Sequence, residues 1–363
     1  MTTSAIETRN RLDEFIADGR LQAAAAVAQI ERDIPADLVV PESKITVLPP
    51  AEKTNRWRIG LGSEDRPLHD HAWSQVLQRA EITGRRAEAL GTSEWGREEL
   101  ARHVSVLASH SEDRVLLRSV HAEVRAVLSD SYRRIDARPA IVALIEATRD
   151  AGGLVVGARS GDLNVSIRAI LPQIVEIGGD PVVLGVEFAT SDFGRGAQRL
   201  ARFAFRLLCS NGLIGERILR TVHLGGRLAE DIAFSDRTYR LDTSTNASAV
   251  RDIVRNALSA PEQDKVVAKL TKAQNTSVDF EAVLPALKKN LTVAEADAVT
   301  RIWTFGDETE VPAGRNAWRL SQALSAAAKS ATTAERALDL EQMAGALIDN
   351  PTAGAKQLAA VAA

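Results

Sequence analysis

Four arginines near the middle of the chain have the spacing that places side chains on one face of an α-helix. Arg195, Arg199, Arg202 and Arg206 lie at offsets of 0, 4, 7 and 11 residues, and an α-helix turns once in about 3.6 residues. The segment 193–227 around them holds seven arginines and one acidic residue, in a chain whose net charge is −3. The sequence therefore predicts a basic helix over residues 195–209.

A helix face made only of arginines needs negative charge from elsewhere, because like charges one turn apart repel each other. A local excess of positive charge is typical of a surface that follows phosphates. Acids on another element of the protein are a second source, and a merely solvated face is a third interpretation. We favour the anion-binding surface and keep the other two open.

Two short patterns place an aromatic ring beside arginines, an arrangement that can stack bases and hold phosphates. They are Arg56-Trp57-Arg58 and Tyr132-Arg133-Arg134. The alternative for each ring is a half-buried position on an edge strand. Together with the four stripe arginines, these residues form the predicted nucleic-acid contacts.

No pattern in the sequence predicts catalysis, a metal or a cofactor. His69 and His71 stand at the start of a predicted helix, where side chains two apart diverge, and no Cys or Glu cluster completes a ligand set. Cys209 is expected to be a buried small apolar side chain, with Ser210 to Gly212 ending the basic helix. Glycine-rich segments lack the Lys-Ser/Thr end of a phosphate loop. We expect a protein that is not an enzyme.

The composition fits a globular chain with 45% hydrophobic and 26% charged residues. A single cysteine excludes an internal disulfide and indicates a reducing cytoplasm. No apolar run is long enough to span a membrane.

Hydrophobic periodicity predicts an α+β fold with a central antiparallel meander, an N-terminal helix and a helical C-terminal region. Three parts are expected: residues 1–50 with a helix and a proline-rich linker, an α+β core over 51–243, and a helical region over 244–363. Within the core the meander begins as a hairpin that turns near Ser160-Gly161-Asp162. Pro67 is placed in the first turn of a helix. Further helices are expected over 5–31, 93–110 and 137–153, with two strands over 113–136.

The chain resembles a family of phage and plasmid proteins of unknown function, which includes the YafZ and YfjQ proteins (domain of unknown function 932). The resembling segments are AVLSDSYRRID, FGRGAQRLARFAFRLLCSNGLI, GRNAWRLSQALSAAA and ERALDLEQMAG. They lie between about residues 66 and 348. The resemblance implies a mobile-element context and names no activity.

The predicted order of a helix, a β-meander and a long basic helix is also similar to the β-β-β-α core of single-strand annealing recombination proteins of the Rad mediator, Erf and RecT kinds. That resemblance implies a homo-oligomeric ring or filament with single-stranded DNA in an outer basic groove. It makes the stripe arginines, with Arg133 and Arg134, candidate backbone contacts.

We therefore expect a non-enzymatic single-stranded nucleic-acid binding protein of a phage or plasmid, with a role in annealing and DNA recombination. The alternative is a structural or interaction module of a mobile element, whose arginines pair with acids on a partner and bind no nucleic acid.

Overall fold

A computed structural model describes residues 3–50, 55–208, 211–221, 223, 234–307 and 309–350. Its N-terminal part contains α1 (Thr3–Arg32), β1 (Ala36–Pro41), β2 (Ile45–Leu48), β3 (Arg58–Leu61), β4 (Glu64–Pro67), α2 (Asp70–Arg79), α3 (Gly84–Gly91), α4 (Glu94–Ser109), β5 (Arg114–Val120) and β6 (Glu123–Ser129). The middle contains α5 (Ala137–Asp150), β7 (Leu154–Ser160), β8 (Val165–Ile177), β9 (Asp180–Thr190), β10 (Gln198–Arg206) and β11 (Asn211–Thr221). The remainder is helical: α6 (Asp236–Ala257), α7 (Ala260–Gln274), α8 (Phe280–Leu287), α9 (Val293–Phe305), α10 (Ala317–Ala327) and α11 (Ala334–Asp349).

A five-stranded antiparallel meander, in the order β11-β10-β9-β8-β7, forms the centre of the fold. Every residue of β9 is buried, because its strand is central and both faces of the sheet are covered. The sequence of a strand that is buried on both faces is a continuous apolar run and does not alternate between apolar and polar residues. The segment PVVLGVEFAT of β9 has this pattern. The α+β class, the N-terminal helix and the C-terminal helices are confirmed.

The predicted arginine helix is wrong, because residues 198–206 form strand β10, which pairs with β9 and β11. The loop before it contains Gly194 and Gly196, whose φ angles of 74° and 145° suit a chain reversal into an antiparallel neighbour. Both faces of β10 are buried by apolar residues, so the spacing of its arginines matched a helix by coincidence.

Successive side chains of a strand point to opposite faces, so β10 divides the predicted stripe. Arg199 lies on the face that also carries Ala201 and Phe203, which we call the front face. Arg202 and Arg206 lie on the other, back face. Arg195 precedes the strand, in the loop that joins it to β9.

Helices cover most of both faces. On the front face, Leu12 and Ile16 of α1 pack against Phe203 and Phe205. Nearby, α11 approaches β11 so closely that a Cβ on Gly345 would lie 1.8 Å from the carbonyl oxygen of Ile214. The back face packs against α5 and α6 at one end and against the C-terminal helices at the other.

Two three-stranded antiparallel sheets, β1-β5-β6 and β2-β3-β4, precede the meander. The strands expected over 113–136, the helices expected over 5–31, 93–110 and 137–153, and the hairpin turn between β7 and β8 are all present. Pro67 differs from expectation: it ends β4, and α2 begins at Asp70 with His69 as its N-cap.

The basic helix was expected to end at Ser210 to Gly212, but Asn211 and Gly212 are the first residues of β11. Cys209, expected to be buried, and Ser210 lie outside the described residues. None of the described helices is sufficiently long and apolar to cross a membrane.

Candidate anion-binding groove

A groove runs along the front face of the meander near one end of its strands. It consists of two adjoining cavities, of about 480 Å³ and about 720 Å³, which share Ala197, Arg199 and Asp339 as lining residues. We call the two together the arginine groove, since six arginines line it. They are Arg159, Arg195, Arg199, Arg217, Arg220 and Arg336.

The register of the sheet builds the floor of this groove. One row of cross-strand partners runs over all five strands, and partners share a face. In order from β7 to β11 it reads Arg159, Ser166, Ala189, Arg199 and Arg220. In the next row Arg217 stands opposite Ala201. The antiparallel pairing therefore gathers arginines that are up to 61 positions apart in the chain, as residues 159 and 220 are.

Arg199 and Arg220 are direct cross-strand partners. Like charges in this relation destabilise a sheet. The exposed side chains of Arg217 and Arg220 have no carboxylate within 4.0 Å in the described part of the chain. Arg199 also lacks one there; its two terminal guanidinium nitrogens lie 2.8 and 3.2 Å from the side-chain amide of Gln342. Burial lowers the pKa of Arg199 and the charge of Arg217 lowers it further, while Glu187 and Asp339 oppose both effects.

Four carboxylates line the groove. Two of them share Lys269, and a third lies near Arg336, a groove arginine that donates to both oxygens of Glu295. Glu216 and Asp349 both accept from Nζ of Lys269, at 2.7 and 3.1 Å. Asp339 lies 4.0 Å from Arg336. The fourth, Asp162, is 64% exposed at the rim, 3.8 Å from His69, where solvent screens its charge. Burial lowers the pKa of His69, and the charge of Asp162 opposes that shift.

A buried ionic network lies in the next row of the front face, where Arg168 pairs with Glu187 and Glu187 with Ala201. Arg168 donates from Nε to Glu187 at 2.9 Å and from Nη2 to Glu341 of α11. Burial raises the pKa of Glu187, and Arg168 opposes that rise. Arg159 lies 3.3 Å from the other oxygen of Glu341. Because neither glutamate lines a cavity of the groove, the network serves to fix α11 and Arg159 on the sheet.

The two back-face arginines of the predicted stripe are in ion pairs between elements. Arg206 is 1% exposed and donates to Asp180 at 2.6 and 2.9 Å. Arg202 donates to Glu262 of α7 at 2.5 Å. For these two residues the structure matches the alternative of acids on another element. They do not line the groove.

The remaining predicted arginines are also paired within the chain. Arg133 donates to both oxygens of Asp242, at 2.5 and 2.7 Å. Arg134 lies 3.4 Å from Asp37 and 4.3 Å from the centre of the Tyr239 ring. Arg56 pairs with Glu123, and Arg58 with Asp65.

The predicted stacking rings already have aromatic partners. Trp57 stacks on Trp73 with centroids 4.1 Å apart. Tyr132 is buried and stacks on His223 at 5.0 Å, and burial raises its pKa. Neither ring lines the groove, so of the ten predicted contacts only Arg195 and Arg199 meet there.

Sequence reasoning missed four of the groove arginines: Arg159, Arg217, Arg220 and Arg336. Arg217 and Arg220 belong to the same basic run as the stripe, so the charge excess of residues 193–227 marked them. Arg159 and Arg336 carried no such signal, because only the fold brings β7 and α11 to this place.

The histidine pair has structural contacts. The Nδ1 atom of His69 accepts from the backbone of His71 at 3.1 Å, and Nε2 of His71 lies 2.9 Å from the Phe193 carbonyl oxygen. Over the described ranges, no three His, Cys, Asp or Glu side chains are grouped as metal ligands.

No family model matches the chain, and neither a curated protein nor a solved structure matches it.

Proposed function

We propose that the protein binds single-stranded nucleic acid along the arginine groove, and that this function involves no covalent chemistry. The observation that carries the proposal is the row of front-face arginines, in which Arg199 and Arg220 face each other without a described acid between them. Phosphates entering the groove would relieve this repulsion and gain forked hydrogen bonds from the guanidinium groups.

A single strand is the form of nucleic acid that we propose for this groove. The two cavities of the groove, about 480 and 720 Å³, adjoin at Ala197, Arg199 and Asp339. A flexible single strand can lower its phosphates into such a groove, whereas a stiff duplex would contact its rim. Phosphate contacts of this kind are independent of sequence.

The proposal does not depend on the comparison with annealing proteins, because a strand occupies the place where that comparison requires a helix. A ring or filament of copies, and the annealing that such multivalency would promote, stay predictions of that comparison.

The test is fluorescence anisotropy of a labelled oligonucleotide with the Arg217→Glu/Arg220→Glu variant. Removing two phosphate contacts and adding two negative charges should weaken binding at least about tenfold at low salt, and should flatten the log–log salt slope by about 1.4, since each phosphate of a single strand contributes about 0.7.

The matched control is Arg85→Glu/Arg86→Glu on α3. Both residues are exposed, neither lines the groove, and the change in net charge is the same. The control should keep most of the wild-type affinity. Equal loss in both variants would mean that only overall charge matters, and would reject the groove.

A further inference from the structure

A further cavity, of about 290 Å³, lies in the N-terminal part of the fold and shares no lining residue with the arginine groove. Its volume is close to the lower end of the range for small-molecule sites, about 300–1,000 Å³. We call it the valine cavity, because four of the eight apolar side chains that line it are valines. The eight come from β2, α2, α4 and β6, and are Ile45, Val47, Val76, Ala80, Val104, Leu107, Ala108 and Val127.

The polar residues that line the valine cavity are joined to one another in one network. Arg79 donates from Nε and Nη2 to the two oxygens of Glu42, at 2.8 and 2.9 Å. Ser111 donates to Glu42 at 2.7 Å and accepts from the backbone of Asp113 at 3.2 Å. The carboxylate of Asp113 lies 3.7 Å from Arg79. The ion pair at the centre of this network is thus satisfied without a ligand.

Contacts between the walls hold the valine cavity open. The backbone N–H of Val127 in β6 donates to Oε1 of Gln75 in α2 at 2.8 Å. That of Val47 in β2 donates to Oγ of Ser105 in α4, also at 2.8 Å. The ion pair joins the end of α2 to the turn before β2, and the β-branched valines have few rotamers. The walls are therefore kept from closing on the empty space, and the cavity is preformed.

The interior of the valine cavity is apolar, and its opening is marked by its exposed residues. Val47, Val104 and Val127 are 3–4% exposed, whereas Leu107 is 43% exposed and the side chain of Asp113 53%. A buried water needs two to four polar partners, and the polar network already pairs its groups with one another. An apolar group that displaces such water gains buried contacts in its place.

From these features we infer that the valine cavity binds an uncharged apolar group of a small molecule, about the size of one aromatic ring. A charged group would leave water for a place where both charges of the Arg79–Glu42 pair have partners. The charge of Asp113 lies at the opening, where solvent screens it. Binding here is independent of the proposed function, because the two sites share no lining residue.

The test compares three probes that each have one benzene ring and differ in charge: toluene, benzoate and benzylamine, which is protonated at pH 7. The melting temperature of the full chain is measured with each probe at millimolar concentration. Toluene should raise it by about 2 °C or more. Benzoate and benzylamine should leave it unchanged, because each would have to lose the hydration of its charge.

The Ala108→Leu variant fills the valine cavity from its α4 wall. The added carbons occupy empty space, so the variant should keep or raise the melting temperature of the protein alone and should lose the toluene shift. The matched control is Ala101→Leu on the same helix. Ala101 is 4% exposed and does not line the cavity, so this variant should be less stable through overpacking and should keep the toluene shift.

A smaller filling variant, Val104→Ile, adds one carbon to the wall and should reduce the toluene shift if Ala108→Leu does not fold. Absence of a toluene shift in the wild type overturns the inference. An equal shift with benzoate or benzylamine overturns it as well, and so does a toluene shift that survives both filling variants or that Ala101→Leu also loses. None of these measurements uses an oligonucleotide, so each outcome leaves the proposed function as it stands.

Discussion

The ion pair of Arg206 gives the sharpest prediction about the corrected strand. Arg206 is 1% exposed and Asp180 is 7% exposed. Asp180 accepts two hydrogen bonds from the guanidinium group and one, at 2.9 Å, from Nε1 of Trp318, which is fully buried. Substituting Arg206→Met keeps the length of the side chain and removes its charge, which leaves the Asp180 carboxylate buried beside one neutral donor.

The expected cost follows from that exposure and those contacts. Breaking a buried ion pair by removing one partner lowers the free energy of unfolding by about 3–5 kcal/mol. Replacing both partners is far less harmful, since no uncompensated charge stays behind. The Arg206→Met/Asp180→Asn double variant should therefore be more stable than Arg206→Met, and its asparagine oxygen can still accept from Trp318.

Urea unfolding of the wild type, both single variants and the double variant measures this coupling. Anisotropy with the labelled oligonucleotide is recorded on the same proteins. We expect a strong favourable coupling and unchanged oligonucleotide affinity wherever the variant is folded. Strictly additive stability effects, or a loss of affinity in a folded Arg206→Met protein, would refute the buried pair and revive a surface arginine stripe.

Two further predictions concern the titration and the packing of the fold. Burial raises the pKa of Asp192 to about 7, so between about pH 4 and 7 the folded chain holds a proton that the unfolded chain has released. The free energy of unfolding should then fall with rising pH, by up to about 1.4 kcal/mol per pH unit from this group. Asp192→Asn should remove that contribution, and an unchanged slope in urea unfolding from pH 4 to 7 would contradict it. Gly345→Ala should lower the melting temperature, since its Cβ would meet the Ile214 carbonyl oxygen at 1.8 Å. Gly84→Ala, which meets nothing within 4 Å, should leave the melting temperature unchanged or raise it; equal effects in calorimetry would count against the contact.

Much of the secondary structure could be predicted because most elements have one exposed face or clear end signals. Helix α4 has Ser93 as its N-cap, whose hydroxyl accepts from the Gly96 backbone at 3.0 Å. Strand β10 lacks such an alternation, because apolar side chains on both of its faces pack into the core, Leu200 on one and Phe203 on the other. Gly194 and Gly196 in the segment SDFGRG indicate a turn before this strand. The helical spacing of the arginines nevertheless led to the prediction of a helix.

Only part of the candidate site could be predicted. The basic run identified the region, but charge excess does not say which arginines have partners. Asp180 and Glu262, which pair with Arg206 and Arg202, are 26 and 60 positions away in the chain. Contacts at such separations depend on strand register and helix packing, which no local pattern contains.

The most direct test of the groove is a salt series of anisotropy titrations with single-stranded and double-stranded forms of one oligonucleotide. We predict tighter binding of the single strand, with a log–log salt slope of about −2 to −4 if three to five phosphates are neutralised. We also predict a flatter slope in Arg217→Glu/Arg220→Glu and an unchanged one in Arg85→Glu/Arg86→Glu. Absence of binding by the wild type at low salt, or equal slopes in the two variants, would contradict the proposed groove.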